Sequence, residues 1–157
     1  MAFEMSGSQE LSAPREVVWR FLNDAEVLRR CIPGCQSLEH DGENGFVATT
    51  KVKIGPIGAT FKGRVRLEDL NPPVSYTLTG TGDGGLTGSA KGTARVELSE
   101  GSKPSTTLLA YTVDAAVAGK MAQLGARLIN SVAAKLTSEF FGKFADEIDN
   151  RDTQQEH

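Results

Sequence analysis

Ala115-Ala116-Val117-Ala118-Gly119-Lys120-Met121-Ala122-Gln123-Leu124 is the stretch in which the hydrophobic rhythm of this chain changes. From Phe3 to Val117 apolar residues recur at every second position, in runs separated by Gly and Pro. From Lys120 to Ile148 they recur at every third or fourth, with no glycine between Gly125 and Gly142 and no proline. A period of two marks half-buried strands, and one of 3.6 marks an amphipathic helix. The switch at Gly119 therefore predicts an α+β fold. A curved antiparallel sheet of six to seven strands wraps around one long C-terminal helix.

Downstream of the switch, Leu124, Leu128, Val132, Leu136, Phe140, Phe144 and Ile148 are spaced by four. That spacing drifts around the helix, so the apolar stripe winds, and Met121, Ile129, Ala133 and Phe141 widen it. A helix of this length spans about 42 Å, enough to cross a whole sheet. Upstream, five strand candidates alternate cleanly: Phe46 to Ile54, Ile57 to Leu67, Val74 to Gly80, Leu86 to Leu98 and Leu109 to Val117. Hairpin-length connections between them predict antiparallel pairing. Phe3, Met5, Gly7 and Leu11 form one side of a first strand. Two short helices follow it. Ser12 reads as the cap of one, with Pro14 in its first turn and Val17, Val18, Phe21 and Leu22 on one face. Asp24 caps the other, which carries Val27 and Leu28 and stops at Pro33-Gly34. The pair reads as a lid at one end of the sheet.

At 157 residues the chain is read as a single domain over 1–149 with a polar tail over 150–157. The net charge of −3 carries no nucleic-acid footprint. Glu4 stands where a signal peptide would need an apolar run, and no stretch approaches the ~18 apolar residues of a membrane span. A cytoplasmic protein is expected, with at most peripheral contact at the inner face of the cell membrane. The two cysteines, in Cys31-Ile32-Pro33-Gly34-Cys35, lack the further ligands of a zinc site and read as reduced thiols.

Sorting the charges by parity bears on function. Lys51, Lys53, Lys62, Arg64, Arg66, Lys91, Arg95 and Glu97 all fall on the outer side of their strands. The polar residues left inside are Gln9, Thr50, Tyr76 and Tyr111, none of which titrates near neutral pH. His40, in the polar run Glu39-His40-Asp41-Gly42, reads as a solvated turn residue. No nucleophile–base or paired-carboxylate arrangement assembles, so no catalytic residue, metal site or required cofactor is predicted. The inner face is instead apolar and aromatic, which suits a pocket for a lipid-, isoprenoid- or quinone-like molecule. Phe61, Tyr76, Tyr111, Val132, Leu136, Phe140 and Phe144 are the expected lining, with Trp19 and Ile32 at the mouth. Gly80, Gly82, Gly84, Gly85, Gly88 and Gly92 crowd one hairpin, either to let the sheet curl or to leave room for a ligand. Outside, Lys51, Lys53, Lys62, Arg64 and Arg66 form a basic patch, without an acid among them. Such a patch suits an acidic protein or an anionic membrane surface, and also a plain solvated face.

Several local stretches resemble one family. Ala13-Pro14-Arg15-Glu16-Val17-Val18-Trp19 with Leu22-Asn23-Asp24 is similar to the first-helix signature of START-like, or SRPBCC, helix-grip proteins. Cys31-Ile32-Pro33-Gly34-Cys35, the turn Lys51-Val52-Lys53-Ile54-Gly55-Pro56, and Gly119 to Ile129 leading to Phe140-Phe141 resemble the carbon monoxide dehydrogenase G-subunit family. The resemblance covers residues 1 to about 149. It implies a non-catalytic accessory protein of a molybdenum-containing carbon monoxide dehydrogenase or related hydroxylase, helping to recruit the enzyme to the membrane. It also implies a quinone or lipid in the helix-grip cavity. Anchored members carry a membrane-binding C-terminal extension, whereas this chain ends in the polar Asn150 to His157. The rival readings are a polyketide cyclase or aromatase-like enzyme using Tyr76 or Tyr111 as proton donor, and a ligand-free scaffold working through the basic face.

Overall fold

The first strand, β1 (Ala2–Leu11), pairs with the last, β7 (Thr107–Ala118), because two helices turn the chain away after Leu11. The computed structural model describes residues 1–155. Between those strands lie α1 (Arg15–Leu22), α2 (Ala25–Cys31), β2 (Cys35–His40), β3 (Gly45–Ile54), β4 (Ile57–Asn71), β5 (Ser75–Asp83) and β6 (Ser89–Glu100). After β7 comes the C-terminal helix α3 (Ala126–Gln155). The seven strands form one antiparallel sheet in the order β1-β7-β6-β5-β4-β3-β2. From β2 to β7 it is a simple meander, which is what hairpin-length connections allow.

The core is divided along α3. At the lid end Leu11, Val18, Leu22, Val27, Tyr76, Leu98 and Leu109 pack with Phe144 and Ile148. At the other end Ile54, Val117, Met121 and Ile129 form a separate cluster. Complete burial of Phe144 contributes about 1.5–3 kcal/mol. Val132, Ala133, Leu136 and Thr137, on the helix between these anchor points, are only half-buried. The helix is gripped at both ends and looser in the middle.

Five local expectations change. The helical period begins at Lys120, but the helix itself does not. Lys120–Leu124 is a 3-10 turn, and positive φ at Gly119 (85°) and Gly125 (94°) breaks the chain on either side before α3 starts. Leu86 lies in the 3-10 turn Gly85–Thr87 and is 89% exposed, so β6 starts only at Ser89. The first helix begins behind Pro14 with no side-chain cap, so Ser12 does not serve, whereas the Asp24 carboxylate accepts from the Glu26 and Val27 amides (2.9 and 3.3 Å). His40 ends the short edge strand β2, with its ring 4.9 Å from that of Phe46. That strand escaped the reading of alternation because Leu38 is its one buried residue. Residues 150–155, read as tail, continue α3; 156 and 157 lie outside the described residues.

Candidate ligand-binding cavity

Register across the sheet builds the inner face in rows. Tyr76, Val96, Tyr111 and Gly7 stand side by side on β5, β6, β7 and β1. The next row is Leu67, Leu78, Ala94, Val113 and Met5. Beyond it the side chains shrink. Val65 is followed by Gly80, Gly92 and Ala115, and Ala48 by Gly63, Gly82 and Ala90. Bulk declines from the lid end toward the hairpin tips, and the loose middle of α3 lies above the decline.

The space left over is a cavity of about 330 Å³. Ala48, Gly63, Val65, Leu78 and Ala94 form its floor, Thr137, Phe140 and Phe141 of α3 its roof, and Leu22, Leu28 and Ile32 its lid. A second apolar depression of about 300 Å³ adjoins it and shares Val65, Leu78, Ala94 and Val113. The Thr137 hydroxyl donates to the Ala133 carbonyl (2.8 Å), which leaves little polarity from the helix.

Two tyrosines supply the polar character. Tyr76 is 3% exposed, its ring meets Trp19 edge-on at 5.1 Å, and its hydroxyl makes no hydrogen bond among the described residues. Burial pushes its hydroxyl pKa well above the ordinary phenol range, so it stays a neutral donor. Tyr111 stacks on Phe141 (5.5 Å, 22°) and covers Gly7, where a Cβ would collide with its ring. Tyr111 and Phe141 also form one wall of a polar groove between β1 and α3, lined further by Ser8, Gln9 and Ser138.

A family model described as the G subunit of carbon monoxide dehydrogenase (CoxG) matches residues 7–149. The chain belongs to the CoxG family. Among solved structures it is similar to a conserved protein from Geobacillus kaustophilus, with 34% identity and a TM-score of 0.88 over 94% of this chain and 96% of that one. A START superfamily protein from Mycobacterium smegmatis gives 12% identity and a TM-score of 0.70 over 94% and 97% of the two chains. The Zhui aromatase/cyclase from Streptomyces sp. R1128 gives 14% identity and a TM-score of 0.68 over 96% of each. No curated protein matches. The fold is the START-like helix-grip.

Within this CoxG-family chain the predicted lining divides. Ile32, Tyr76, Tyr111 and Phe140 lie on the cavity wall. Phe61 leans over Gly84 and packs, with Val132, in the cluster at the far end. Phe144 is fully buried beneath Phe140, whose ring it stacks on (5.7 Å), and Trp19 stands behind Tyr76. Leu136 is half-buried between the two clusters and belongs to neither. Alternation identifies the inner face but not the depth at which a side chain stands, so these residues differ from the wall residues in a coordinate the sequence does not carry. Sequence reasoning missed the lid residues Leu22 and Leu28 and the bare floor at Gly63.

Lys51, Lys53, Lys62, Arg64 and Arg66 do share the outer face of β3 and β4. The patch is not free of acids: Asp41, in the β2–β3 connection, lies 3.6 Å from Arg64, and Asp83 stands opposite Lys62 in register. Cys31 is buried and its thiol is pushed up to about 11 by desolvation and by the Glu147 carboxylate; burial also raises Cys35. Both thiols are free and protonated at neutral pH. Among the described residues no cluster of His, Cys, Asp or Glu could hold a metal ion, and no helix is long and apolar enough to cross a membrane.

Proposed function

We propose that this protein is a non-catalytic accessory component of a molybdenum-containing carbon monoxide dehydrogenase or related hydroxylase. It holds a lipid- or quinone-like molecule between sheet and α3. The observation that carries the ligand is the Tyr76 hydroxyl: a neutral donor without a partner among the described residues, in the wall of an apolar cavity. Among the described residues no side-chain oxygen is both sealed and unpaired, so this hydroxyl is reachable from the cavity, where a carbonyl or hydroxyl oxygen on a bound molecule can accept its hydrogen bond. Family membership supports the accessory role. The basic face over β3 and β4 is the surface offered to the enzyme or to an anionic membrane.

Trp19, the sole tryptophan, sits against Tyr76 and reports on the site. Titration with 2-methyl-1,4-naphthoquinone should quench its emission saturably, and mass spectrometry of solvent extracts from purified protein should find an apolar passenger. Absence of both would end the ligand reading. The cyclase-like reading predicts instead that turnover of a poly-β-ketone chain vanishes when Tyr76 and Tyr111 are both exchanged for phenylalanine.

A further inference from the structure

Strand-interior glycines usually have a local reason. Gly7 lies under the Tyr111 ring, and a Cβ on Gly92 would stand 2.8 Å from the Asp114 carbonyl oxygen. Gly63 and Gly82 have none of these. They face each other in register on β4 and β5, and neither has a positive φ. A Cβ on Gly82 would meet nothing within 4 Å, and one on Gly63 only carbonyl oxygens at 3.7 and 4.0 Å. A glycine inside a strand costs about 0.5–1 kcal/mol relative to residues with a side chain, and here neither backbone conformation nor packing requires it. What the pair does is keep the inner face bare where the two apolar spaces adjoin: Gly63 lines one and Gly82 the other.

We propose that Gly63 and Gly82 are the floor of a channel that receives the unbranched apolar chain of the ligand, and that their missing side chains set the chain length accepted. The inference rests on the ligand-binding function proposed above and adds the orientation and the discriminating residues. The ligand's polar atom meets the Tyr76 hydroxyl, and its chain runs along β5 past Leu78 and Gly80 to Gly82. Six residues of extended strand give that path about 20 Å. Among the described residues no charged side chain borders the cavity at the Tyr76 end, so the polar atom belongs to a neutral group such as an alcohol or ketone.

The test is a homologous series of primary alcohols, from octanol to octadecanol, competing with N-phenyl-1-naphthylamine for the intact chain. Wild-type affinity should rise about four-fold per methylene until the channel is full. In Gly63→Val and Gly82→Val the rise should stop about three methylenes earlier, the carbon count of the added side chain, with shorter alcohols unaffected. Thermal midpoints of both variants should stay level or rise, since valine suits a strand better than glycine. Variants that fold but keep the wild-type cut-off would overturn the channel, as would variants that unfold, because the space would then belong to the protein. A wild type that binds no probe and no alcohol would instead sink the ligand-binding function itself, taking the channel with it.

Discussion

Arg30 on α2 grips Glu147 on α3 through two parallel hydrogen bonds, Nε to Oε1 at 2.6 Å and an Nη to Oε2 at 3.1 Å. The pair joins the lid to the helix that roofs the cavity, and it raises the Arg30 pKa above its usual value through the hydrogen bond. With Arg30 44% and Glu147 19% exposed, its contribution to stability is about 0.5–1 kcal/mol. Glu147→Gln should therefore lower global stability only slightly while hastening release of N-phenyl-1-naphthylamine in stopped-flow displacement. An unchanged release rate would mean that the lid does not gate the cavity.

Tyr76→Phe should weaken binding of 2-methyl-1,4-naphthoquinone by about two- to ten-fold, the range of one neutral hydrogen bond. Denaturant midpoints should hold or rise, because the hydroxyl removed has no hydrogen-bond partner among the described residues. A loss of stability with unaltered affinity would assign Tyr76 to the core alone.

Gly7→Ala places a methyl group against the Tyr111 ring. Displacing the ring costs about 1–3 kcal/mol and pulls it from Phe141. Urea denaturation should register that cost; a neutral result would show that Tyr111 is free to swing.

The raised thiol of Cys31 gives stability a pH dependence of definite sign. A group that binds its proton more tightly when folded supports the fold fully below its unfolded pKa and loses that support through the folded one. Between about pH 9 and about pH 11 stability should fall, and less steeply in Cys31→Ala. At neutral pH Ellman's reagent should modify the half-buried Cys35 and spare Cys31 until the protein unfolds. Equal reactivity of both thiols would contradict the packing of α2 on α3.

Replacing Lys62, Arg64 and Arg66 together by glutamate reverses the outer patch without touching the inner rows. Capture of a molybdenum hydroxylase, or of phosphatidylserine vesicles, should be lost while alkanol affinity is retained. On vesicles each basic residue near the surface contributes about 1 kcal/mol, so undiminished binding to both would place the docking surface elsewhere.

Much of the architecture was legible because parity survives in a linear string. The alternation from Phe46 to Val117 and the four-residue spacing from Leu124 to Ile148 sort inner from outer side chains without three-dimensional information. Two things do not survive. Backbone breaks at Gly119 and Gly125 leave the period of Met121 and Leu124 intact, so a 3-10 turn is indistinguishable from helix by rhythm. Depth is lost as well. Phe140 and Phe144 sit on the same stripe, yet one borders open space and the other is sealed in the core, because α3 is clamped near its C-terminal end and lifted in the middle. The bare stretch of the inner face is set by what is missing, Gly63 opposite Gly82, and register between strands is needed to see two absences as one.

The pairing of β1 with β7 has a consequence in the order of synthesis. Phe3 finds its neighbour at Ala115, so the first strand made must wait for more than a hundred residues before its hydrogen bonds can close. At about 5–20 residues per second that is roughly 5–20 s on the ribosome. Throughout that interval the lid helices hang from an unpaired strand, and the meander from β2 onward can assemble without them. The N-terminal segment can return to the edge of β7 only after Thr107–Ala118 has been made, and its return brings the lid helices to the sheet that α3, made later still, will cover.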